Sequence, residues 1–157
     1  MAILLTRIDD RLIHGQVTEG WGRYLKPDLI LVVSDDVSSS DWECDICLAG
    51  LPEGTIGEVV ETAEAATRIN ELIDDDRKSY VIFGSPKDAY NAVEDGAHIS
   101  KINVGGLHSA QGKREIIDYI YVDDTDSYYL KALKDAGIEL EFKDLPQHAH
   151  VDVLALL

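Results

Sequence analysis

Five ionisable side chains crowd into eight residues near the start of the chain: Arg7, Asp9, Asp10, Arg11 and His14, in the segment RIDDRLIHGQ. A structural turn needs one or two polar residues, so this density points to chemistry. Arginines bind phosphate through forked, charge-assisted hydrogen bonds, which suits Arg7 and Arg11. A carboxylate of Asp9 or Asp10 can accept an imidazole N–H and hold the ring in one tautomer. His14 is then a candidate nucleophile or proton carrier, since a neutral imidazole nitrogen can attack phosphorus. Gly15 leaves room for another molecule to approach, and the N–H groups of Gln16 and Val17 would receive a phosphate if they open a helix.

The flanking sequence says how such a segment is held. Residues 2–6 form a short apolar run of strand length, and residues 17–24 can form a helix with Val17, Trp21 and Tyr24 on its apolar side. The charged segment is then the first strand-to-helix turn. In open α/β sheets ligands bind beyond the carboxyl ends of strands, where strand order reverses, and a first turn often lies there.

The rest of the chain repeats the alternation. Leu29–Val33 (LILVV) and residues 80–83 (YVIF) are apolar on both faces, as buried parallel strands are. Residues 55–60 and 101–104 read as further strands, residues 115–122 as one more, and 138–142 (IELEF) as a half-exposed edge strand. Helices are predicted from Ser40 or Asp41 to Pro52, over Thr62–Ile73, from the Ser85 cap and Pro86 to Gly96, and over 125–136 with Thr125 or Asp126 as cap. A terminal turn or short helix follows Pro146. Strands alternating with helices imply one α/β domain over residues 1–157, an open, mostly parallel sheet with helices on both faces.

Composition narrows the function. Fourteen basic residues against thirty acidic ones leave a formal net charge of −16, which argues against nucleic acid and against anionic lipid as partners and favours a basic protein partner. Hydrophobic residues make up 45%, enough for a packed core. No apolar stretch approaches a membrane span, and MAILLTRIDD lacks the basic start of a signal peptide, so a cytoplasmic protein is expected.

Other candidates are weaker. Cys44 and Cys47 form a lone CxxC inside a predicted helix, better suited to packing than to zinc or redox work. His148 and His150 suit a surface tail. Asp35, Asp36 and His108 follow strands and would share the rim of the first turn as a second set of site residues. Gly105-Gly106 lacks the further glycine of a dinucleotide-binding turn. Trp21 and Trp42 suit packing, or an anchor for a partner.

Three stretches also carry a resemblance. LLTRIDDRLIHGQV, INVGGLHSAQGK and VDDTDSYYLKALKDAGIELEFKDLP resemble the EIIB subunits of the mannose/fructose/sorbose family of the bacterial phosphoenolpyruvate:sugar phosphotransferase system. The resemblance implies a fold of about seven strands. It implies that His14 takes a phosphoryl group on Nδ1 from a histidine of an EIIA domain. It then implies delivery to a sugar held by the membrane components EIIC and EIID, which would keep the protein at the inner face of the membrane without insertion. The catalytic set reads His14, Arg11 and Asp10, and the phosphate-binding set Arg7, Arg11, Gly15 and Gln16. No metal and no cofactor are expected. The alternative is a regulatory phosphocarrier that serves no sugar permease.

Overall fold

Leu29–Val33 and Ser79–Phe83 are buried at every position because each has a strand on both sides and helices over both faces. The computed structural model describes residues 3–157, Gln16 by its backbone alone. Among them six strands form one sheet: β1 (Ile3–Asp9), β2 (Leu29–Val33), β3 (Ile56–Val60), β4 (Ser79–Phe83), β5 (Lys101–Gly106) and β8 (Glu139–Phe142). Their order is β3-β2-β4-β1-β5-β8, and every neighbouring pair is parallel.

The seventh strand expected from the resemblance is not in this sheet. Residues 115–122 are not one strand either. They fold as an antiparallel hairpin of β6 (Arg114–Ile117) and β7 (Ile120–Val122). The turn falls at Asp118-Tyr119. The hairpin hangs on the main sheet through Leu107, whose N–H donates to the Tyr119 carbonyl at 3.0 Å and whose carbonyl accepts from Tyr121 at 2.7 Å.

Alternation along the strands sorts side chains to two faces. Leu29, Leu31, Val33, Val81, Phe83, Ile102 and Val104 pack against α4 (Thr62–Ile73), α5 (Pro86–Glu94) and α6 (Asp124–Asp135). Ile30, Val32, Tyr80 and Ile82 pack against Val17 and Trp21 of the first helix. Burying each of these aliphatic side chains contributes about 1.5–3 kcal/mol. Short helices α2 (Asp35–Ser38) and α3 (Asp41–Ala49) complete the second face.

Caps set the helix starts. Ser85 Oγ accepts from Asp88 N at 3.1 Å with Pro86 in the first turn, and Ser40 Oγ accepts from Glu43 N at 3.3 Å. Helix α6 starts earlier than the sequence suggests. Asp123 accepts from Asp126 N at 2.7 Å while Asp126 accepts from Asp123 N at 3.3 Å, a reciprocal box that moves the cap to Asp123.

The first helix opens with a π-helical segment, Gln16–Trp21, and continues as α1 (Gly22–Leu25). Its glycines explain the shape. A Cβ on Gly22 would stand 2.8 Å from the Val17 carbonyl, and one on Gly20 would stand 2.6 Å from Leu145 of the C-terminal tail. Exit loops then diverge. That of β1 leads to the face of Trp21, while those of its neighbours β4 and β5 lead to the face of α5 and α6. The crevice at a reversal of this kind lies at the carboxyl end of β1.

Candidate active site

Strand β1 runs three residues beyond the apolar run that ends at Thr6, so Arg7 and Asp9 are strand residues on one face. Both are fully buried. A buried guanidinium must be paired and hydrogen-bonded. Arg7 donates to Asp9 Oδ2 from Nη2 at 2.9 Å and from Nε at 3.3 Å, to Asn103 Oδ1 at 2.7 Å, and to the Asp144 carbonyl at 3.0 Å. Its carbon lies 5.9 Å from the centre of the Trp21 ring, whose N–H donates to the same Asp144 carbonyl at 2.8 Å. Burial lowers the Arg7 pKa, and Asp9 offsets part of that effect. Arg7 is therefore an internal brace for Asp9, where the sequence suggested a direct phosphate contact.

Asp9 is the hub. Its Oδ2 also lies 2.8 Å from His14 Nε2. Its Oδ1 accepts from the Arg11 backbone N–H at 3.0 Å, with Arg11 Nε at 3.6 Å. Burial pushes the Asp9 pKa up. The bond from His14, the charges of Arg7 and His14 and the Arg11 N–H together pull it below the usual value. The Asp9 carbonyl accepts from Leu12 N at 3.0 Å, which closes the turn. Leu12 takes a left-handed conformation, φ 60°, at a cost of about 1–2 kcal/mol. Its side chain is anchored in the core beside Val17 and Ile30, which holds it there.

His14 is 15% exposed. A neutral ring donating Nε2–H to Asp9 carries its lone pair on Nδ1. The His14 carbonyl accepts from Val17 N at 3.0 Å, Thr18 N at 2.9 Å and Thr18 Oγ1 at 3.1 Å. The Val17 N–H is thus committed within the chain and does not serve a phosphate. Gly15 has ordinary helical angles, and a Cβ there would meet nothing within 4 Å. Among the described residues its smallness serves no contact. The side chain of Gln16 lies outside the described residues.

Of the two aspartates, Asp9 reaches His14 and Asp10 does not serve it. Asp10 bonds His108 instead, through the backbone N–H at 2.7 Å and through ring Nδ1. His108 thus shares the rim of the first turn. Asp35 follows β2 on the same edge of the sheet, but its Oδ1 accepts from Thr62 N at 2.7 Å and holds the start of α4. The Asp36 carbonyl accepts at 2.8 Å from Oγ of Ser39, the residue that closes α2. Both are helix-end residues. Asp9, Asp10 and His108 bring ligand-type atoms within 4.8 Å of one another, and these atoms are engaged with Arg7, His14 and each other.

Cys44 and Cys47 lie in α3. Cys44 Sγ donates to the Val37 carbonyl at 3.1 Å, and burial pushes the Cys47 thiol up, away from the thiolate that zinc or redox chemistry needs. His148 bonds Asp144 at 2.6 Å, and His150 Nδ1 accepts from Phe142 N at 2.9 Å, so both histidines hold the tail. Trp21 is buried, and Trp42 is 72% exposed.

Asn103 has a role that nothing local in the sequence signals, and Gly105-Gly106 have one other than the dinucleotide-binding turn weighed above. Asn103 accepts from Arg7 and donates to the Lys143 carbonyl at 2.9 Å. Gly105 and Gly106 are strand residues, and their missing side chains make room for Arg7 and Asp9. Two glycines at the end of a strand-like run are the signal for such a close approach.

Residues 3–157 match the family described as PTS system sorbose subfamily IIB component. The chain is 31% identical over 157 residues to the fructose-specific EIIB component of Bacillus subtilis, covering all of this chain and 96% of that one. It is 33% identical over 157 residues to the mannose-specific EIIAB component of Escherichia coli, where it spans 49% of the relative's length. The IIBSor domain of the sorbose permease from Klebsiella pneumoniae superposes with a TM-score of 0.88 at 28% identity, over 99% of this chain and 95% of that domain. With a parallel sheet whose crevice holds an aspartate-bound histidine, and with this likeness along its whole described length, the chain belongs to the sorbose/mannose/fructose family of phosphotransferase-system IIB components.

Proposed function

We propose that the chain receives a phosphoryl group on Nδ1 of His14 from a phosphohistidine of an EIIA domain and passes it to a sugar held by EIIC and EIID. The observation that carries this reading is the 2.8 Å bond from His14 Nε2 to Asp9 Oδ2. With the Nε2 proton shared in that bond, the lone pair on Nδ1 is the attacking one, which supports the reading. In the first step that lone pair forms a bond to phosphorus while the donor's N–P bond breaks, and the electron pair returns to the donor imidazole. The Asp9 carboxylate stabilises the positive charge that develops on the His14 ring. In the second step a sugar hydroxyl attacks phosphorus and loses its proton to water, while the His14 N–P bond breaks and its electron pair returns to Nδ1, restoring neutral imidazole.

Such transfers pass through a loose, charge-dispersed arrangement, so fixed positive charge and positioning carry the rate. Arg11, 39% exposed beside Asp9, is the side chain suited to meet the phosphoryl oxygens. Arg7 acts from beneath by holding Asp9. Gly15 supports the same reading, because its open surroundings leave space for a partner's side chain. No helix of the described residues is long and apolar enough to cross a membrane, which fits work at a membrane through EIIC and EIID. The relatives reported above are sugar-specific components, and they lend no support to a carrier without a sugar.

The test is phosphorylation by labelled phosphoenolpyruvate with enzyme I, HPr and an EIIA, comparing wild type with His14→Ala. Acid-labile label on the wild type and none on the variant is expected. Adding membranes that contain EIIC and EIID should then yield sugar phosphate. An unlabelled wild type beside a labelled control EIIB overturns the proposal.

A further inference from the structure

Asp10 joins the first turn to the loop that follows β5. Its backbone N–H donates to the Gly106 carbonyl at 3.0 Å, and its carboxylate accepts two bonds from His108, one from the backbone at 2.7 Å and one from ring Nδ1. The pair is partly exposed, 29% at Asp10 and 37% at His108, so it contributes little to stability as an ion pair. Its position is what matters. Asp9, the next residue, must keep Oδ2 at bonding distance from His14 Nε2. Gly106 links the two arrangements: a Cβ there would stand 2.9 Å from both Asp9 oxygens and 2.9 Å from His108 Cε1. The His108 ring therefore rests on the same strand end that Asp9 leans on. Two imidazoles are tethered to consecutive carboxylates by opposite nitrogens, His14 through Nε2 and His108 through Nδ1.

We infer that His108 is a positioning residue: through Asp10 it clasps the first turn to the exit of β5, so that Asp9 meets His14 in the orientation that leaves Nδ1 as the nucleophile. This rests on the phosphocarrier reading for its consequence and on the bonds to Asp10 for its geometry. A displacement of about 1 Å at a reacting group can cost on the order of a hundredfold in rate, so a clasp that adds little stability can still decide the rate.

The test uses His108→Ala, His108→Asn, Asp10→Ala and the double variant Asp10→Ala/His108→Ala. The readouts are the rate of label transfer from EIIA and the ring 15N resonances of His14. His108→Ala is expected to lower kcat by about tenfold or more, to leave KM for the donor unchanged, and to mix the His14 tautomers. An asparagine amide reaches the place of Nδ1, so His108→Asn should restore both the rate and the Nε2–H tautomer. The double variant should be no slower than either single one, because both remove the same clasp. Unchanged kcat and tautomer in His108→Ala, losses that multiply in the double variant, or a raised KM with normal kcat would each overturn the inference. The resonances decide the clasp even where wild type takes no label, so failure of the phosphocarrier reading is seen separately.

Discussion

Gly105 lies so close to Arg7 that a Cβ on it would stand 1.9 Å from the guanidinium carbon. Gly105 lies two residues beyond Asn103, the β5 residue paired with Arg7, and a side chain there would occupy the place of the guanidinium between β5 and Trp21. Gly105→Ala should therefore displace Arg7 from Asp9, Asn103 and the Asp144 carbonyl at once. Overpacking alone costs about 1–3 kcal/mol, and breaking a buried ion pair about 3–5 kcal/mol. A loss of about 3 kcal/mol or more in urea unfolding is expected. An unchanged midpoint would show that the guanidinium is not wedged there.

Asp9→Asn should change both the acid stability and the chemistry. The folded pKa of Asp9 lies below its ordinary value of 3.8: burial raises it, and the His14 bond and the Arg7 charge pull it down further. The stability it adds is therefore fully present above about pH 4 and is lost as pH falls through the depressed folded value. Urea midpoints of wild type should drop over that acid range, and those of the asparagine variant should drop less. An asparagine amide can also donate to Nε2, which drives the ring proton onto Nδ1 and removes the lone pair that the proposed transfer uses. Label uptake at neutral pH should fall by about 10⁴-fold, the loss that follows when an Asp→Asn change imposes the wrong tautomer on a catalytic histidine. Wild-type uptake by the variant would remove Asp9 from the mechanism.

Arg11→Ala separates the exposed arginine from the buried one. Arg11 Nε lies 3.6 Å from Asp9 Oδ1 at a partly exposed position, so its removal should change stability by less than about 1 kcal/mol. Transfer of label should slow by about 10²-fold, the effect of losing one donor to developing charge. A variant that melts like wild type and transfers slowly is the expected pairing. Equal transfer rates would leave the charge on the phosphoryl group without Arg11.

Local sequence alone determined the alternation of strands and helices, apart from the hairpin of residues 114–122, and it singled out the first turn with His14 as the candidate site. These follow from apolar runs of strand length, from caps such as Ser40 and Ser85, and from five ionisable residues in one turn, all of them short-range signals. Only the tertiary structure decided which aspartate holds the histidine. The apolar run suggests that the first strand ends at Thr6, which puts Asp9 and Asp10 together in a loop. Pairing with β4 and β5 extends the strand to Asp9, opposite Gly106. Arg7 and Asp9 then share one face, Ile8 takes the other, and Asp10 is the first residue beyond the strand, bonded to His108. Arg7 turned inward for the same reason. Its partners Asn103 and Asp144 lie 96 and 137 residues along the chain, a separation that local periodicity does not register and strand pairing brings to hydrogen-bond distance.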